Sequence, residues 1–161
     1  MDFLFVDRIV DVEPSRRIDT LKNVAGLDDV FADHVPGHPV LPGALVVEAF
    51  AQASQLLIAA SPDFTQVGRL RRLSRAAFRQ RVRPGEQLAI RCERRAGDEH
   101  AWMLDATATV RSRWVAAATL EYALEPAEPG THADRQAERL RTLARELRQS
   151  PVEIATRGRD E

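Results

Sequence analysis

His34-Val-Pro-Gly-His38-Pro-Val-Leu-Pro42-Gly43 runs directly into Ala44-Leu-Val-Val-Glu48-Ala-Phe-Ala-Gln52-Ala-Ser-Gln55-Leu-Leu-Ile-Ala-Ala60. The first half cannot be regular structure. Pro36, Gly37, Pro39 and Pro42 break helix and strand alike, so residues 26–43 read as a long loop stiffened by its prolines. The second half has no breaker and is apolar nearly all round, which predicts a buried helix over 44–60, about 26 Å long. Its polar minority is ordered. Glu48, Gln52 and Gln55 are spaced i, i+4 and i+7 and project from one side.

Outward from that helix the periodicity changes to two. Upstream, residues 3–12 and 16–24 suit strands separated by the Glu13-Pro-Ser15 turn. Downstream, Leu88, Ile90 and Cys92 share one face, then Trp102, Leu104, Ala106, Ala108 and Val110, then Trp114, Ala116, Ala118, Leu120 and Tyr122. Half-buried antiparallel strands following one buried helix define an α+β class with the sheet wrapped on that helix. Residues 1–126 form this unit. Residues 127–161 read as a linker, an amphipathic helix over 133–149 with Leu140, Leu143 and Leu147 at helical spacing, and a frayed end.

The chain has 161 residues, of which 29% are charged and 44% hydrophobic, with a formal net charge of -1. This composition excludes a charge-rich disordered chain and a globally basic nucleic-acid binder. One cysteine excludes an internal disulfide framework. Cys92 alternates with core residues and reads as packing rather than as a nucleophile. No secretory signal is read at the start. The polar side chains within 44–60 argue against a membrane span, so the expected location is cytoplasmic.

Glu48 has two readings. It stands at the exposed end of a half-buried helix, or it is a desolvated acid kept able to give or take a proton. The preceding loop favours the second. Its prolines and glycines hold His34 at a defined distance from the helix, and an imidazole titrates near ~6.5. Pro42-Gly43 opens the helix, where unpaired N–H groups sit at the positive end of its dipole. A metal set of Asp33, His34 and His38 is disfavoured, because i, i+4 histidines converge only on a helix and Pro36 and Pro39 forbid one. His38, His100 and His132 read as exposed residues. Gln52 holds Glu48 or a water, or simply packs.

The block from His34 through Glu48 to Gln52 resembles the active-site stretch of the 3-hydroxyacyl-acyl carrier protein dehydratases of the FabZ type. The resemblance extends to Phe3-Leu-Phe-Val-Asp-Arg-Ile9, Lys22-Asn-Val24, Ala77-Phe-Arg-Gln-Arg-Val82 and Pro84-Gly-Glu-Gln-Leu88, and so covers residues 2–124. Val35 and Ala77 depart from the family's usual phenylalanine and lysine, and the arginine-rich tail has no counterpart. The resemblance implies a hot-dog fold, an antiparallel sheet curled around a long helix. It also implies a homodimer, with further assembly of dimers undetermined, and sites shared between subunits. Catalytic roles are carried onto His34, as base, and Glu48, as acid. Gly43 is carried over as an N–H donor to the thioester oxygen and Gln52 as a neighbour of Glu48. Glutamate at 48 resembles the branch that only dehydrates. The implied substrate is a 3-hydroxyacyl chain on acyl carrier protein, from fatty-acid or from polyketide or aryl-polyene synthesis. No metal or redox cofactor is implied, since dehydration moves no net electrons. A hot-dog thioesterase and a non-catalytic carrier-binding subunit are the alternatives.

One more feature stands apart. Seven arginines fall within residues 69–83 with no acidic residue among them. Their alternation with Leu70, Leu73, Phe78 and Val82 suggests a strand or strand pair with one basic face. Such a face is ordinary surface charge or a docking patch for an acidic partner. The resemblance favours acyl carrier protein as that partner, with Arg79 and Arg81 as the contacts. No aromatic stacking platform accompanies the patch, so nucleic acid is not expected.

Overall fold

The computed structural model describes residues 4–25, 31 and 37–149. They form six strands, β1 (Arg8–Glu13), β2 (Arg17–Asn23), β3 (Gln66–Phe78), β4 (Gln87–Gly97), β5 (Ala101–Val110) and β6 (Arg113–Pro126). Two long helices accompany them, α1 (Gly43–Ala60) and α2 (His132–Gln149). The strands make one antiparallel sheet in the order β1-β2-β4-β5-β6-β3, so β1 and β3 are its edges.

Helix α1 packs against every strand from β2 to β6. A sheet that touches one helix along five strands must curl around it. The alternating residues of β4 and β5 supply the lining: Leu88, Ile90, Cys92, Leu104, Ala106 and Ala108 are buried, while their neighbours in sequence point outward. Each large apolar side chain fully buried here contributes about 1.5–3 kcal/mol. Gly68 sets the closest approach of helix and sheet. A Cβ there would lie 2.7 Å from Ile58 Cδ1 and 2.9 Å from Tyr122 Cδ1. Tyr122 then donates its hydroxyl to the Ala51 carbonyl at 3.2 Å, pinning the rotation of α1 about its axis.

Helix α2 lies where the Leu140, Leu143 and Leu147 spacing places it. It contacts α1, β6 and both edge strands, β1 and β3. Ala133, Ala137, Leu140, Ala144 and Leu147 are buried on one stripe and join the same core as the strands. Residues 150–161, including the end expected to fray, lie outside the described residues.

Two expectations need correction. The alternation read over 69–83 is not realised as a two-faced strand: β3 ends at Phe78, and from Arg69 onward it is exposed or only partly buried on both faces. The physical reason is its position at the sheet edge, where it runs past the core, with bulges between Leu70 and Arg72 and between Ser74 and Ala77. Trp114, expected on the inner face of β6, is instead exposed to 36%, beneath the Arg79 guanidinium at 5.0 Å from the ring centroid. A bulge between Ala108 and Thr109 interrupts the register opposite it.

Candidate active site

The start of α1 is shaped by two contacts. Leu41 N–H donates to the Val82 carbonyl at 2.8 Å, tying the loop before the helix to the segment after β3. The Phe78 ring lies against Gly43, where a Cβ would be 3.0 Å from Cε1. A larger residue at 43 would have to displace this ring. The Pro42 cap carries no side-chain hydrogen bond, so the first helical N–H groups remain available.

One turn further along α1 is Glu48. Gln52 Nε2 donates to Glu48 Oε1 at 2.8 Å. The other end of that amide is also engaged, with Phe5 N–H donating to Gln52 Oε1 at 2.8 Å. A backbone N–H can only donate, so Gln52 must present its oxygen to Phe5 and its nitrogen to Glu48. The arrangement commits Glu48 Oε1 as an acceptor, and no hydrogen bond to Oε2 is formed among the described residues. Sequence spacing suggested the Glu48–Gln52 pair. The role of Phe5 was not legible, since it depends on a contact 47 residues away.

Burial of Glu48 does not follow from this chain alone. Its side chain is exposed, as are Ala44 and the loop residues Gly37 to Pro39. Helix α1 is enclosed by the sheet on one side, and its Glu48 side is open. Of the two readings of Glu48, the single chain therefore shows the exposed one and not the desolvated one. His34 and Asp33 lie outside the described residues. His38 is exposed, as expected, and so is His100. Burial pushes the Cys92 thiol up to about 12, in keeping with a core residue whose Sγ lies 3.7 Å from the Phe50 carbonyl.

Arg79 and Arg81 are exposed, and Arg81 precedes Val82, whose carbonyl accepts from Leu41 just before α1. Arg71, Arg72, Arg75, Arg81 and Arg83 have no carboxylate partner among the described residues, whereas Arg69 pairs with Glu125. A cleft of about 490 Å³ is lined by residues that include Arg72, Arg75, Arg95 and Glu121 and by none of the described site residues.

An antiparallel sheet curled around one long helix is the hot-dog architecture. The chain belongs to the FabA-like domain family, whose model matches residues 1–119. Among curated relatives, the 3-hydroxyacyl-(acyl-carrier-protein) dehydratase FabZ of Symbiobacterium thermophilum is 37% identical over 123 residues, covering 76% of this chain and 87% of the relative. Two solved structures share the fold. The dehydratase heterocomplex ApeI:P from Xenorhabdus doucetiae has 15% identity and a TM-score of 0.61, over 83% of this chain and 88% of that one. A hypothetical thioesterase with coenzyme A from Streptococcus pneumoniae TIGR4 has 14% identity and a TM-score of 0.61, over 74% and 88%.

Proposed function

We propose that this protein dehydrates a 3-hydroxyacyl thioester carried on acyl carrier protein to the trans-2-enoyl thioester. The observation that carries the reading is Glu48, held by Gln52 one turn inside a helix that opens on Gly43, in a chain of the FabA-like family. The relatives named as FabZ dehydratases support it.

The reaction removes a proton from C2 and hydroxide from C3, forms the C2–C3 double bond and releases water. His34, as neutral imidazole, takes the C2 proton. Negative charge moves onto the thioester oxygen, where the N–H of Gly43 stabilises it, a type of contribution worth about 3 kcal/mol per donor. Glu48 delivers a proton from Oε2 to the departing hydroxyl while Gln52 holds Oε1 in place. The proton on His34 then returns to Glu48 through the released water, and the site is reset. Each residue's role is part of the proposal.

The open side of Glu48 and the free edge of β3 call for a second subunit. Leu70, Leu73 and Phe78 on β3 are 38%, 40% and 51% exposed. An edge strand bearing apolar side chains is covered when it meets its own copy across a two-fold axis. We place the protein as a cytoplasmic homodimer, with the subunits pairing along β3 and each covering the other's Glu48. The apolar length of α1, sufficient by composition to cross a bilayer, is used against the sheet. The fatty-acid and polyketide or aryl-polyene settings both supply such a substrate.

The test is direct. Incubated with 3-hydroxyacyl-carrier substrates, the protein yields products lighter by one water in mass spectrometry. Free carboxylic acid without loss of water overturns the reading in favour of a thioesterase.

A further inference from the structure

Residues 5–7, just before β1, lie between α1 and the end of β2 and are held from both sides. On the helix side, Phe5 N–H donates to Gln52 Oε1 at 2.8 Å, and Gln52 in turn holds Glu48. On the strand side, Asp7 N–H donates to the Leu21 carbonyl at 2.8 Å, and Asn23 N–H donates to Asp7 Oδ2. Val6, between them, is fully buried.

Lys22, on β2, reaches both residues that flank Val6. Its Nζ donates to Asp7 Oδ1 at 3.3 Å and stands 5.9 Å from the centroid of the Phe5 ring. Its side chain is only 13% exposed, so these attractions are screened less than those of a surface pair. It is also the only lysine among the chain's 23 lysines and arginines. An ammonium is a compact charge on a flexible stem, whereas a guanidinium is a wider, rigid plane. Removing the charge would loosen Asp7 and Phe5 together, and the N–H that orients Gln52 belongs to Phe5.

We propose that Lys22 is a positioning residue for the reaction, acting through Phe5 and Gln52 to hold Glu48. The inference rests on the dehydratase reading, in which Glu48 is the acid. The coupling runs through contacts already described: Lys22 to Asp7 and Phe5, Phe5 to Gln52, and Gln52 to Glu48. Lys22 thereby acts on turnover without meeting the substrate.

Lys22→Met keeps the stem and removes the charge. It should lower kcat by about three- to tenfold and leave KM for the carrier-bound substrate unchanged. Amide exchange at Phe5, read by NMR, should speed up while that of β4 stays slow. The decisive comparison is the double variant with Gln52→Leu, whose kcat should equal that of Gln52→Leu alone. Losses that multiply overturn the inference. So does a lower melting temperature with kcat unchanged, which assigns Lys22 to the fold alone. Should Lys22→Met fail to fold, Asp7→Asn removes the same ion pair from the other side and is judged by the same readouts. If the wild-type protein does not dehydrate, the dehydratase reading fails. Phe5 exchange still decides the role of Lys22: faster exchange in the variant supports it, and unchanged exchange overturns it.

Discussion

The Gln52 amide joins Glu48 to the start of the chain, giving its nitrogen to Glu48 Oε1 and its oxygen to Phe5 N–H, each at 2.8 Å. One side chain thus holds both the acid and the segment that crosses the helix. Gln52→Leu should lower kcat by about tenfold or more, less than the ~10²–10⁴ expected for loss of an acid–base group itself. KM should change little. Loss of the partly buried Phe5 N–H to Gln52 Oε1 hydrogen bond should cost about 1 kcal/mol in urea denaturation. An unchanged kcat would show that Glu48 needs no such anchor.

Gly43 is the second point of leverage. A methyl group there meets the Phe78 ring at 3.0 Å, and Phe78 is half exposed, so the ring can swing outward. Gly43→Ala should therefore leave the melting temperature nearly unchanged. It should lower turnover about ten- to a hundredfold, because the helix start and the strip bearing Arg79 shift relative to the substrate. Activity equal to wild type would remove Gly43 from the site.

Glu48→Ala and His34→Ala should each abolish dehydration while leaving the dimer intact. The exposure of Glu48 in the single chain is the reason to expect a shared site. Mixed after subunit exchange, the two inactive variants should recover part of the activity, since one site of each mixed dimer holds both wild-type residues. No recovery, with exchange confirmed by mass spectrometry, places both residues in one subunit.

Cys92 offers a check on the core. Its thiol is fully buried, with burial holding it at about 12, so it stays protonated in the native state. A thiol in the unfolded chain ionises near ~8.5. The contribution of this group to stability is present in full below that pH and is lost as pH rises from about 8.5 through 12. Tyr122 moves in the same direction, raised by burial. Native protein at pH 8 should be unreactive to an aromatic disulfide reagent and react fully in urea. Fast labelling of native protein would mean that the helix–sheet contact opens readily.

The strands at the centre of the sheet were legible because one face is buried and the other solvated. Leu88, Ile90 and Cys92 write that difference into the sequence at period two, and the structure buries all three. β3 was not legible in the same way. Leu70 and Leu73 interleave with arginines, but an edge strand beyond the core has no inner face for them to fill. The side of α1 that carries Glu48 was readable from spacing. Its exposure was one of two readings and could not be decided from spacing, since Ala44, Leu45 and Val47 look equally apolar whether or not the sheet covers them. The leucine spacing of α2 was visible, whereas its bridging of β1 and β3 depends on contacts distant in sequence.

The arginines beside the helix start carry the last prediction. Arg81 is exposed without a carboxylate partner among the described residues, next to Val82, whose carbonyl accepts from Leu41. Arg79 differs, because its guanidinium also covers the Trp114 ring at 5.0 Å. Arg79→Glu therefore removes packing as well as charge, and Arg81→Glu isolates the electrostatic part. If an acidic carrier docks here, Arg81→Glu should raise KM for carrier-bound substrate several-fold, mainly through slower association. The same variant should turn over a short thioester mimic at nearly the wild-type rate, since that substrate brings no carrier. Added salt should shrink the difference, because exposed charges are screened over ~8 Å at physiological ionic strength. Arg79→Glu should show the same KM effect with an added loss of stability from the exposed ring. Equal losses on both substrates with Arg81→Glu would assign the arginine to the fold or to the chemistry, and the docking assignment would be withdrawn.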